Sequence, residues 1–254
     1  NGAAGDISIM VGETTLASTA GAMLTMQAGD SVGATSTGGP VSITAGDSTN
    51  EGGLVKLQSG TSTGQSTGTI LIATGDGSKS SGDLTIRTAN AATTGRSGAL
   101  TFSSGTTLIG DSGSLSIGSG LATQGTGGSI SITVGDGNSG TGGSITMTAG
   151  KTRGTGLDGG AVTITGGQGL QTGGAVTIGS GAGTTTSSGA MTITTADSGK
   201  GITGAMIFSS GIADSGASGD ITVGSGQATN GAAGDISIMV GETTLASTAG
   251  AMLT

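Results

Sequence analysis

The side chains that could do chemistry in this chain are few and of two kinds, carboxylates and hydroxyls. There is no His and no Cys, so the abundant Ser and Thr hydroxyls have no obvious base to turn them into nucleophiles. Paired carboxylates could do acid–base work, but the Asp residues are scattered beside Gly, where solvated turns are the simpler explanation. No catalytic residue is named, and the chain is not expected to be an enzyme. One acidic set does have a spacing. Glu13, Asp30 and Asp47 fall at the same place, the eighth, in three successive sequence repeats, and Asp76, Asp136, Asp197 and Glu242 occupy that place elsewhere. Stacked carboxylates repel unless they are screened, protonated or bridged by a cation. Their chemistry would be an oxygen-rich Ca²⁺ ladder, although the Ca²⁺-binding pattern G-G-x-G-x-D is not kept at its period. Gly135-Asp136-Gly137-Asn138-Ser139-Gly140 matches G-x-G-x-x-G. No helix-forming run follows it, so a dinucleotide site is not expected. Apart from the Ca²⁺ option, no cofactor is implied.

Hydroxyl rows are the other candidate. Thr146 and Thr148, Thr163 and Thr165, and Thr192 and Thr194 form Thr-x-Thr pairs whose side chains share one side. Such a row resembles the flat Thr ladders of insect and microbial antifreeze proteins, and that resemblance implies ice or surface binding. The row is broken by Gly118, Gly179, Gly224, Lys56, Arg87, Leu71, Ile207, Met10 and Met239, and Thr is in any case a good exposed strand residue. Leu71, Ile207, Met10 and Met239 are either lateral contacts or ordinary surface apolar residues.

The elements that must position these groups are repeats. A unit that opens x-aliphatic-Ser/Thr-aliphatic-x-small-Gly starts at residues 6, 23, 40, 54, 69, 83, 99, 114, 129, 144, 161, 175, 190, 205, 220, 235 and 252. The spacing, on average about 15 residues, is that of a short solenoid coil. The second and fourth positions carry the expected core ladder: Ile7 and Ile9, Leu24 and Met26, Val41 and Ile43, Leu84 and Ile86, Ile130 and Ile132, Val162 and Ile164, with equivalents in the other units, ending at Leu253. Ser or Thr between them makes a period of two, so each unit is expected to open with a short strand. The sixth position is small and is expected to face inward. The seventh is Gly at Gly12, Gly29, Gly46, Gly120, Gly135, Gly150, Gly181 and most other units. Gly also precedes nearly every unit, as at Gly128, Gly143 and Gly160. Fixed glycines of this sort mark turns of positive φ or close backbone approach. The second half of each unit is irregular and absorbs the variation in length.

Together these features predict an all-β chain: a single-stack β-solenoid, or β-helix, of about 16 coils with about 15 residues each. Stacking coils about 4.8 Å apart would pair each backbone with the next. Two aliphatics buried per coil would contribute very roughly 3–6 kcal/mol before entropy is subtracted.

A longer repeat lies over the short one. Residues 1–25, NGAAGDISIMVGETTLASTAGAMLT, recur unchanged at 230–254. The offset, 230 − 1 = 229 residues, spans 15 coils and would be about 70 Å of stacked strands. Residues 1–254 are therefore expected to form one continuous, uncapped solenoid, with 1–229 one higher-order unit and 230–254 the start of the next. The chain opens in mid-pattern, as a window on a longer array would.

Composition narrows the partners. Of 254 residues 58 are Gly, Trp and Tyr are absent and Phe occurs twice, too little aromatic volume for a thick core. Only 9% of residues are charged and the net charge is −8, so nucleic acid, which needs a basic stripe, is not an expected partner. No apolar run of membrane-spanning length occurs. The G-x-[ILVM]-[ST]-[ILMF]-x-x-G unit, over the whole chain, resembles the giant Gly/Ser/Thr-rich solenoid repeats of bacterial adhesins and large extracellular proteins of microalgae. That resemblance implies a structural role outside the cell, as a filament, surface hair, sheath or adhesive stalk. Its partners would be copies of itself, end to end in one chain or stacked, and also lateral. An ice- or surface-binding protein is the second expectation. A polysaccharide-binding solenoid is the third, although the aromatics and charged cleft of such a site are missing.

Overall fold

The computed structural model describes residues 5–16, 20–92 and 94–241. The chain divides into two units, Asn1–Gly128 and Ser129–Thr254, and the division falls where one sequence repeat ends and the next begins. Glu242, Leu253 and the rest of the second copy of the duplicated segment beyond 241 lie outside the described residues.

The solenoid is not there. Among the described residues there is no helix and no strand, so the all-β, β-helical expectation is overturned. None of the described residues is buried. The expected core ladder, from Ile7 and Ile9 to Val162 and Ile164, stands in solvent. The chain exposes 25263 Å² of surface. At its mass of 23.3 kDa a folded monomer exposes about 9,700 Å² and an unfolded chain about 34,000 Å², so this chain lies nearer the second figure.

The physical reason lies in what each repeat has to offer. Alternation selects which side a residue takes, but a ladder forms only if burial offsets the ordering of the chain. Ordering costs about 1–2 kcal/mol for each residue's backbone, and more at Gly, which has the most freedom to lose. Two aliphatics per repeat are too few against that cost, and no aromatic cross-strand pairs add to them.

What remains is a regular local design. Each fully described repeat runs straight through its first half and bends in its second, as at 63–65, 123–125, 184–186 and 214–216. Hydroxyls hold several of these bends. The Gln65 N–H donates to Ser62 Oγ at 2.9 Å, Asn50 N–H to Ser48 Oγ at 3.1 Å and Gly201 N–H to Ser198 Oγ at 2.9 Å, the usual way Ser turns a backbone. At 33–36 the Ser36 hydroxyl donates to the Gly33 carbonyl at 2.7 Å, and the Ser36 N–H to the same carbonyl at 3.1 Å.

The two halves meet at a neck. In the first unit the N–H groups of Gly39, Gly53 and Gly68 donate to the carbonyls of Gly29, Gly46 and Gly60 at 2.9, 2.9 and 3.1 Å. In the second unit Gly160, Gly174 and Gly189 donate to Gly150, Gly167 and Gly181 at 2.9, 2.8 and 2.9 Å. The donor is always the glycine that precedes a repeat, and the acceptor is the seventh-position glycine of the repeat before. The enclosed loop takes up the length variation. The widest closure in the first unit, Gly29 to Gly39, belongs to a long repeat, 23–39. The narrowest, Gly46 to Gly53, belongs to a short repeat, 40–53, and Gly60 to Gly68 lies between them in repeat 54–68.

The neck accounts for two sequence signals at once. A Cβ on Gly53 would lie 3.2 Å from the Ala45 Cβ and 3.2 Å from the Gly46 nitrogen. On Gly160 it would lie 3.4 Å from the Ala149 Cβ and 3.2 Å from the Gly150 nitrogen. At Gly98, Gly113, Gly128 and Gly143 the nearest atoms again belong to the sixth-position residue of the repeat before, Thr88, Ser104, Ser119 and Val134. Before many repeats, though not at Gly82 or Gly219, a missing side chain thus faces the sixth-position side chain of the repeat before. Among the half-buried residues are Ala28, Ala45, Ser59, Thr88, Ala149 and Gly166, all at that position.

Of the two roles expected for the fixed glycines, close approach is the one found at these necks. The glycines of positive φ stand elsewhere: Gly95, Gly110, Gly140, Gly156 and Gly216, each twelfth or thirteenth in its repeat, at or beside the bend.

Candidate functional site

The residues singled out for chemistry are not gathered into a site. Among the described residues no three acidic side chains come together in a way that could hold a metal ion. Glu13, Asp30 and Asp47 are each exposed on separate repeats. The Thr pairs at 146 and 148, 163 and 165, and 192 and 194 are exposed as well, but since none of the described residues is buried, exposure does not single them out. Among the described residues no helix is long and apolar enough to cross a membrane.

The feature with a consistent geometry is the apolar row itself. Alternation survives without a sheet. From Leu24 to Ile236 the second-position side chains are 44–59% exposed, and the fourth-position side chains 51–74%. Apolar residues at the odd positions, Met10, Leu71, Ile207 and Met239, are 80–86% exposed. The even positions therefore share the less exposed side of each straight run, and the odd positions face away. The lateral-contact reading of Met10, Leu71, Ile207 and Met239 concerns that opposite side.

Two identical octapeptides reveal what shields the row. Residues 5–12 and 234–241 both read GDISIMVG. Ile9 and Ile238 have nearly equal exposure, as do Met10 and Met239, and Val11 and Val240. Ile7, in the first repeat, is 92% exposed, whereas Ile236, which follows another repeat, is 53% exposed. The necks differ in the same sense: a Cβ on Gly234 would meet the Ser225 Cβ at 3.9 Å, while one on Gly5 would meet nothing. Ile236 is thus 92 − 53 = 39 percentage points less exposed than Ile7. At about 1.5–3 kcal/mol for a whole Ile that is about 1 kcal/mol. The fourth position shows no such difference.

The row is also free of charge. All 15 acidic and 7 basic residues fall outside the second, fourth and sixth positions. Lys56 is third in its unit, Arg87 fifth, Asp83 and Asp220 first, and Asp30 and Asp136 eighth. Sequence reading identified the row but assigned it to a closed core. The contact between each sixth-position residue and the glycine before the next repeat was legible only as two separate regularities. The positive-φ glycines were missed, although a Gly twelfth or thirteenth in the unit was there to be seen. No protein-family model, curated protein or solved structure matches the chain.

Proposed function

We propose that this chain is a segment of an extracellular structural protein, a filament, surface hair, sheath or adhesive stalk, and that it carries no catalysis. The observation that carries the reading is the unchanged recurrence of residues 1–25 at 230–254. Neighbouring short repeats have diverged at most positions, while these two distant copies have not diverged at all. Such a pattern suits a protein whose length is set by how many long units are copied. A low density of charge, with 9% of residues ionisable, and a hydroxyl-rich surface support a role in which the chain spans distance. The ice-binding alternative needs a continuous array, and the Thr pairs are interrupted by Lys56, Arg87 and several glycines.

The test is immunogold electron microscopy with an antibody raised against the segment 1–25. On native cell-surface material the gold is expected at even intervals along fibres or stalks. Label confined to a soluble intracellular fraction, or scattered without a spacing on any surface structure, refutes the reading.

A further inference from the structure

We infer that Asn230-Gly231 is a site of spontaneous covalent modification, where the asparagine closes on the backbone as a succinimide and opens to aspartate and isoaspartate. The inference goes beyond the structural reading above and does not need it. Only the recurrence of the site along an array rests on that reading.

The reaction asks one thing of the chain, that the backbone nitrogen after an Asn reach the side-chain amide carbon. A bond forms between the Gly231 nitrogen and Asn230 Cγ, the bond from Cγ to Nδ2 breaks, and the Gly231 amide proton leaves with the Nδ2 group as ammonia. Water then opens the five-membered ring at either carbonyl. Opening at Cγ gives Asp. Opening at the main-chain carbonyl gives isoaspartate, in which the backbone runs through the side chain and is one methylene longer. The sum is Asn plus water to Asp plus ammonia, with no oxidant and no cofactor. Three things hinder it in a folded chain: a side chain beside the attacking nitrogen, a hydrogen bond that holds that nitrogen, and closure of the segment around it.

All three hindrances are lifted at Asn230. Of the five Asn residues only Asn1 and Asn230 are followed by Gly, whereas Asn50 precedes Glu51, Asn90 precedes Ala91 and Asn138 precedes Ser139. Asn1 lies outside the described residues. Glycine leaves the nitrogen uncovered and turns through angles that other residues avoid. Asn230 and Gly231 are both exposed, in the bend 229–231. A Cβ on Gly231 would meet nothing within 4 Å, and no backbone carbonyl among the described residues accepts from the Gly231 N–H. The neck of this repeat is open as well. Gly226 and Gly234 stand where other repeats carry their clasp, and no bond joins them, whereas Asn50 lies in the loop that Gly46 and Gly53 clasp at 2.9 Å. The Asp-Gly pairs at 76, 136 and 158 close in the same ring more slowly, because a carboxylate resists a nucleophile, and they release no ammonia. Deamidation at Asn230 takes the net charge from −8 to −8 − 1 = −9. In an array of long units it would leave one such mark every 229 residues, accumulating with the age of the material.

The experiment is a long incubation of the full chain in neutral buffer, with released ammonia measured and each asparagine followed by peptide mass mapping. Hydroxylamine, which intercepts the succinimide, is the second probe and should cut the chain between residues 230 and 231. Asn230 is expected to deamidate at least about tenfold faster than Asn138, the rate equivalent of about 1.4 kcal/mol. Gly231→Ala should slow it by about the same factor, because Ala covers the nitrogen and loses part of the range of glycine. Two added glycines test the open neck. Ser139→Gly lies in a loop that no bond closes between Gly135 and Gly143, so Asn138 should approach the rate of Asn230. Glu51→Gly lies in the loop clasped from Gly46 to Gly53, so Asn50 should stay slower by up to about fivefold, the share one exposed bond holds closed. None of the exchanged residues is buried, so loss of a core does not confound the comparison. An Asn230 no faster than Asn138, or unchanged by Gly231→Ala, overturns the inference. Equal rates in the Ser139→Gly and Glu51→Gly chains overturn the part given to the open neck. Because every readout is on the chain alone, its failure leaves the structural role standing, and unspaced gold on native material would leave the modification site standing.

Discussion

A pair of Gly→Ala substitutions at two necks should move local closure in opposite directions. At Gly160 the new methyl would lie 3.2 Å from the Gly150 nitrogen and 3.4 Å from both the Ala149 Cβ and the Gly150 oxygen. Two of those three atoms are backbone and cannot swing aside, so the two sides of the neck must part by a few tenths of an ångström. The 2.9 Å bond from the Gly160 N–H to the Gly150 carbonyl is what parts. Losing one exposed bond costs about 1 kcal/mol, or roughly a fivefold shift toward the open loop. At Gly189 the nearest atoms would be the Ser180 Cβ at 3.7 Å and the Gly181 nitrogen and oxygen at 3.8 Å, all ordinary contacts. There Ala fits, and it removes freedom from the open chain worth about 0.4–1 kcal/mol. The loop should then close roughly two- to fivefold more often. The assay is solvent exchange of the individual amide protons, read by NMR. Gly160→Ala should speed exchange at the residue-160 amide about fivefold, and Gly189→Ala should slow it at residue 189. If both substitutions speed exchange alike, or if Gly160→Ala leaves it unchanged, close approach is not why glycine stands before the repeats.

The other predictions concern the bends, the carboxylates and the openness of the chain. Gly156, at φ 75°, lies in the left-handed region, so Gly156→Ala should cost about 1 kcal/mol of local order and Gly156→Asn less, read from the three-bond amide–Hα coupling. Because Glu13, Asp30 and Asp47 are not brought together, adding millimolar-range Ca²⁺ and then chelating it should change their side-chain carboxyl NMR shifts no more than those of the scattered Asp111 and Asp214. A saturating shift in the first three alone would restore a cation ladder. Trypsin should cut after Lys56 and Arg87, inside the straight runs, as fast as after Lys79 and Arg96 near the bends, since no strand protects either pair. A marked lag at Lys56 and Arg87 would show backbone order absent from this structure.

Much of the local design was legible in the residues. The start of each repeat, the side taken by Ile130 and Ile132 as against Ser131, and the inward turn of Ala28 or Ala149 all follow from a period of two and from side-chain size. The mistake lay one level up, in taking alternation as evidence for a ladder. Alternation fixes the direction of side chains within a run. Whether runs pair depends on how much each contributes against the entropy of the chain between them, and Ile164 with Val162 contributes little across a repeat rich in Gly. Gly160 was legible as special, but its reason required knowing that Ala149 lies against it. That is a relation across a loop whose length varies from one repeat to the next. The acidic set failed for a related cause: Glu13, Asp30 and Asp47 are in step along the chain, but being in step brings side chains together only where coils stack.

The closed necks also bear on how such a chain would respond to being pulled. Each clasp holds a short loop, such as that from Gly150 to Gly160, out of the line of tension with one exposed backbone bond. A loop of that length drawn straight spans about 33–36 Å, so parting the 2.9 Å clasp between Gly150 and Gly160 would release on the order of 30 Å of slack. The straight runs on either side would not have to break. With six such clasps among the described residues, and none much stronger than the next, load would be met by a succession of small yields that re-form when it is released. A thread of this kind stretches and recoils in steps, and its extensibility is set by loop lengths that vary freely from repeat to repeat without disturbing the residues that bound them.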